Sequence, residues 1–96
     1  MSQHGVLPLA HPSVVWTPLP DGAVLFSTET ELYYGVNSVG ALVWELLPPA
    51  TQTLEDLCAA VHERYPDATL EQIHSDVIEL LENLTKFGLV HMRDAA

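Results

Sequence analysis

The chain predicts a small α+β fold in which three short antiparallel strands come first and three helices follow. Apolar residues alternate with a period of two up to Asn37-Ser38 and recur at a helical spacing of about 3.6 after it. Turn-forming clusters separate the early segments, while Pro48-Pro49, Pro66 and Gly88 divide the later ones. A length of 96 residues, 48% of them hydrophobic, suits one compact domain with one core.

The elements follow in order. Residues 1–12, "MSQHGVLPLAHP", carry no pattern and read as an N-terminal arm that Val6, Leu7 and Leu9 can pin locally. The domain itself is expected over 13–92, with a tail at 93–96. Val14, Val15 and Trp16 favour a strand, which Pro18 restricts to a short or edge position because proline has no N–H to give to a ladder. Pro20-Asp21-Gly22 is a turn, and a second strand is expected over about 23–27. "TETE" turns the chain back into a third strand over about 32–36. There Leu32, Tyr34 and Val36 share one face, and Tyr33 and Gly35 share the other. Such a meander needs a cover on its apolar face.

The helices supply that cover. Asn37 or Ser38 is placed to cap the first, on which Val39, Leu42, Val43, Leu46 and Leu47 keep helical spacing until Pro48-Pro49 stops it. Thr53 opens the second, with an apolar stripe of Leu54, Leu57, Cys58, Val61 and Tyr65 that ends at Pro66. Thr69 opens the third, with Gln72 completing a capping box. Its stripe is Ile73, Val77, Leu80, Leu81, Leu84 and Phe87, and Gly88 is the C-terminal stop. The order β-β-β-α-α-α describes a small winged helix-turn-helix.

Composition narrows the function. Thirteen acidic residues stand against three basic ones (Arg64, Lys86, Arg93), giving a formal charge of −10. A nucleic-acid binder must neutralise phosphates, and the third helix carries Glu71, Asp76, Glu79 and Glu82 against Lys86. A winged-helix DNA-binding regulator is therefore the weaker alternative, and no nucleic-acid partner is expected. No membrane partner is expected either, since no run approaches the roughly 18 apolar residues of a membrane span. There is no signal-peptide pattern, and the single cysteine rules out an internal disulfide framework, so the location expected is cytoplasmic.

No catalytic constellation emerges, and the chain is not expected to be an enzyme. His4, His11, His62, His74 and His91 are scattered, with no metal-ligand spacing. Cys58 sits on an apolar stripe and reads as a buried thiol. Ser38 follows Asn37 rather than the Asp of a carrier-protein attachment site, and follows a strand. No cofactor and no metal are expected.

One resemblance adds to this reading. "DGAVLFSTETELYYGVNSVGALVWELL", "TLEDLCAAV" and "SDVIELLENLTKFGLV" resemble the PqqD family, also called RiPP recognition elements. Val36-Asn37, Val39-Gly40, Trp44, Asp76-Val77 and Gly88-Leu89-Val90 occupy the family's characteristic places, over roughly residues 14–90. Val36 stands where leucine is usual, and Pro48-Pro49 where a glycine-containing turn is common. The resemblance implies an adaptor that binds the leader of a ribosomally made precursor peptide. The leader would add as a strand beside the third strand, in the groove against the third helix. The residues it implies are Leu32, Tyr33, Tyr34, Gly35 and Val36 on the strand, and Ile73, Asp76, Val77 and Leu80 on the helix. The short chain with "TETELYYGVN" and "GALVWELL" is most similar to the stand-alone recognition proteins of lasso peptide biosynthesis. Its partners would then be a leader peptidase and a cyclase. The alternative within the family is delivery of a precursor to a radical enzyme in pyrroloquinoline quinone biosynthesis. The acidity points to a basic leader.

Overall fold

A computed structural model describes residues 7–91 of the chain. Its elements are β1 (Leu9–Ala10), β2 (Val14–Leu19), β3 (Gly22–Ser27), β4 (Tyr33–Asn37), α1 (Ser38–Leu46), α2 (Leu54–Arg64), α3 (Leu70–Lys86) and β5 (Val90–His91). Strands β2, β3 and β4 form an antiparallel sheet in that order, followed by three helices, so the expected α+β architecture is the one observed. A second, two-stranded pairing joins β1 to β5, with Leu9 opposite His91 and Ala10 opposite Val90. Two-residue strands have no periodicity to read, and sequence reasoning did not find this clasp. It holds the second half of the predicted arm against the fold, and Leu7 beside it is wholly buried in the core. Residues 1–6 of the arm and the predicted tail 93–96 lie outside the described residues.

The register of the sheet sorts side chains between its faces. Trp16, Leu25 and Tyr34 stand in one row, Pro18, Ala23 and Val36 in another, on the face that the helices cover. Leu25, at the centre, is fully buried. It packs in one cluster with Leu42 and Val43 of α1, Leu57 and Val61 of α2, and Ile73, Val77 and Leu84 of α3. Burying each such side chain contributes about 1.5–3 kcal/mol. The opposite face carries the row Val15, Phe26 and Tyr33, and the row Thr17, Val24 and Gly35. Antiparallel sheets commonly leave one face to solvent in this way.

The helix ends are built largely as the sequence implies. Asn37 is the cap of α1, accepting from the Gly40 N–H at 2.8 Å. Thr53 accepts from the Asp56 N–H and Thr69 from the Gln72 N–H. Each such cap stabilises by about 1 kcal/mol. The predicted capping box at Thr69 is realised on one side: the Gln72 carboxamide turns forward and donates to Asp76 Oδ1 at 3.1 Å. At the end of α3, Gly88 takes a φ of 73°. Its N–H donates to the Thr85 carbonyl, and the Leu89 N–H to the Leu84 carbonyl. This pair of bonds is a Schellman motif, and the left-handed residue it needs costs glycine little. The turn sends the chain straight into β5.

Two details depart from the sequence reading. Leu32 lies before the strand rather than in it. Its carbonyl accepts from the Ser27 N–H to close the β3–β4 hairpin, and its side chain is exposed. Ile78, which the predicted stripe of α3 leaves out, is half-buried and packs against the core.

Candidate functional site

Strand β4 lies at one end of the sheet, so among the described residues one row of its backbone groups has no strand beside it. Which row follows from hydrogen-bond alternation. The Thr28 N–H donates to the Ser13 carbonyl and the Ser27 N–H to the Leu32 carbonyl. In an antiparallel ladder the bonded pairs recur at every second residue. Ala23 and Leu25 therefore bond to Val36 and Tyr34, their register partners. The N–H and C=O of Tyr33 and Gly35 point away from the sheet, as does the Asn37 N–H.

Beside this edge runs a groove of about 400 Å³ between β4 and α3, with α1 as its base. Strand β4 contributes Tyr34, Gly35, Val36 and Asn37. Helix α1 contributes Val39, Gly40 and Val43, and α3 contributes Asp76, Val77, Glu79, Leu80 and Asn83. The floor is aliphatic, with Val43 and Val77 almost completely buried. The wall on α3 carries two carboxylates, Asp76 and Glu79, and among the described residues no Lys or Arg lines the groove. Gly40 sets its depth. A Cβ at that position would stand 2.8 Å from Val36 Cβ, so only glycine lets α1 come this close to β4. At the sheet's far corner the Tyr34 ring meets Phe87 at 5.5 Å, tying β4 to the end of α3.

Of the residues singled out in the sequence, Tyr34, Gly35, Val36, Asp76, Val77 and Leu80 converge on the groove. Tyr33 flanks it on the outer face, where its ring lies 4.6 Å from Phe26 and it is 74% exposed. Ile73 is in the core, 4% exposed, and Leu32 lies just before β4. The structure also decides which flank of α3 faces β4: it is the flank bearing Asp76 and Leu80. Sequence reasoning misses the α1 contribution, because the helical spacing of Val39 and Val43 reads only as core. It also misses Asn37, which both caps α1 and lines the groove. The small residue one turn into α1, Gly40, was the available signal.

The remaining candidates have structural surroundings. Cys58 is buried, and burial pushes its thiol pKa up, away from the reactive thiolate. Ser38 Oγ accepts from the Tyr65 hydroxyl at 3.2 Å. The His11 and His91 rings, eighty positions apart in sequence, meet edge to face at 5.6 Å across the β1–β5 clasp. Among the described residues no group of three or more His, Cys, Asp or Glu side chains could hold a metal ion. No helix there is long and apolar enough to cross a membrane.

Comparison with known proteins agrees with this architecture. The structure "TbiB1 in Complex with the TbiA(beta) Leader Peptide" is similar, with a TM-score of 0.76 and 24% identity. The match covers 85% of this chain and 93% of that one, and it shows a shared fold. No curated protein matches the chain. The family described as "Coenzyme PQQ synthesis protein D (PqqD)" matches residues 22–90, from the start of β3 to the start of β5. That span contains the open edge, the groove and every residue lining it, and the chain belongs to the PqqD family.

Proposed function

We propose that the chain is a non-catalytic adaptor, a RiPP recognition element that binds the leader of a ribosomally made precursor peptide. The leader adds to β4 as a further strand and lies in the groove against α3. One observation carries this reading: an edge with outward donors and acceptors runs beside a groove with an aliphatic floor. Peptides bind such edges through main-chain bonds, which give affinity, while alternate side chains entering pockets give specificity. Family membership supports the reading, as does a similar fold in TbiB1, which is seen with a leader peptide. The residues proposed to meet the leader are Tyr33, Tyr34, Gly35, Val36, Asp76, Val77 and Leu80. Leu32 and Ile73 support them, one just before β4 and one on the buried face of α3.

The leader is proposed to be basic, since Asp76 and Glu79 line the α3 wall and the chain's formal charge is −10. The same charge disfavours DNA. The pathway proposed is lasso peptide maturation in the cytoplasm, where the loaded adaptor serves a separate leader peptidase and a cyclase. The family's description favours a second reading, delivery of a precursor to a radical enzyme in pyrroloquinoline quinone biosynthesis.

Titration of the protein with synthetic leaders of both precursor types, followed by fluorescence anisotropy, tests and ranks these readings. A leader of one type is expected to bind at micromolar concentration or tighter; no binding by either overturns the adaptor reading. Raising NaCl from roughly 50 mM to roughly 0.5 M shrinks the Debye length about threefold and should weaken a basic leader several-fold. Binding indifferent to salt would refute the electrostatic part alone.

A further inference from the structure

Gly35 sits in the middle of the exposed edge strand with no internal reason to be glycine. A glycine inside a strand weakens it, because it has more freedom to lose and no side chain to pack. Such a residue is usually explained by a left-handed φ or by a close neighbour. Gly88 is the glycine with positive φ among the described residues, so Gly35 needs no special backbone. A Cβ built on Gly35 meets nothing within 4 Å among the described residues. Gly40, five residues on, is the contrast, since its Cβ would collide with Val36.

The surroundings indicate what the bare position admits. Gly35 points to the outer face, opposite Val24 of β3 and between Tyr33 and Asn37 along β4. The Tyr33 ring packs against Phe26 at 4.6 Å, and beyond the two chain neighbours of Gly35 no atom of the described residues stands within 4 Å of a Cβ built there. Val24 is half-buried and forms an aliphatic bed beyond it. The Gly35 N–H and C=O point out of the sheet, so an antiparallel strand added there forms a bonded pair with Gly35. The side chain of that pairing residue projects on the same outer face. Large aromatic side chains compensate cross-strand glycines by lying over them.

We infer that Gly35 is a specificity notch: the leader residue paired with it carries a large, flat side chain that crosses Gly35 toward Val24 and the edge of Tyr33. This rests on the strand-addition reading and extends it. The leader is then read on two faces, by alternate residues in the groove and by one residue on the opposite side of the sheet. The peptide class selected is one with an aromatic residue out of phase with those that enter the groove.

The test uses Gly35→Ala and Gly35→Leu, with melting by circular dichroism to confirm folding, and a synthetic leader in which each position in turn is replaced by glycine. Gly35→Leu is expected to bind the intact leader at least five-fold more weakly, and Gly35→Ala to show a smaller loss. One aromatic leader position should be coupled to Gly35: with glycine there, wild type and variants bind alike. Equal binding of the intact leader by wild type and both variants overturns the notch, as does a loss coupled to no leader position. If either occurs while Gly35→Pro still weakens binding, strand addition stands and only the notch falls. If wild type binds no leader, both fall.

Discussion

The two edges of the β2–β3–β4 sheet differ in a way that bears on function. On β2 the outward backbone positions are Val14, Trp16 and Pro18, because the Thr28–Ser13 bond fixes the alternation. The Val14 N–H is already bound to the His11 carbonyl, and Pro18 has no N–H. That leaves Trp16 as the outward donor on this edge. On β4 the outward donors are those of Tyr33, Gly35 and Asn37. Proline and local capping bonds are common protections against unwanted strand pairing. Here they guard one edge while the other stays open beside a groove, so the asymmetry is a stronger indicator of a binding edge than exposure alone.

The contrast can be tested by moving a proline along it. Tyr34→Pro removes a donor that faces β3, breaks a ladder bond and is expected to destabilise the fold by about 3 kcal/mol. Denaturant unfolding measures this, and a wild-type midpoint would refute the deduced bond direction. Gly35→Pro removes a donor that faces outward, so the sheet should keep its bonds while leader affinity falls about ten-fold, the worth of one backbone hydrogen bond of about 1.4 kcal/mol. Anisotropy titration reads the loss, and undiminished binding would move the peptide away from this edge. Pro18→Thr restores a donor to the closed edge and should change stability by no more than about 0.5 kcal/mol, with leader affinity unaltered. Stronger leader binding in that variant would show that β2 also accepts peptide.

Much of the fold was legible because several signals coincided. The change of period at Asn37-Ser38 falls where β4 meets α1, and the Thr53 and Thr69 caps mark the starts of α2 and α3. What escaped was whatever depends on pairing at long range. The β1–β5 clasp joins segments too short for any pattern, and Leu7, expected at most to pin the arm locally, is wholly buried in the core. For the candidate site, a family resemblance could name the strand and a set of α3 residues, but not which flank of α3 faces that strand. Nor could it give the inward or outward direction of each β4 amide, which depends on which residues form bonded pairs with β3. The groove's third side was hidden for a related reason: a valine such as Val43 can serve the core and a cleft at once, and its sequence looks the same either way.

Pro18 has a consequence best put in the language of polymer chemistry. A sheet with two open edges is bifunctional: each added strand leaves a new edge, and growth can run on into a fibre. Closing one edge makes the molecule monofunctional toward other copies of itself. Two such sheets can at most meet edge to edge and stop, and the peptide proposed to add on β4 would occupy the open end of the β2–β3–β4 sheet. In this sense a strand-accepting protein of this design is a chain terminator, able to keep one edge adhesive without becoming a monomer for its own aggregation.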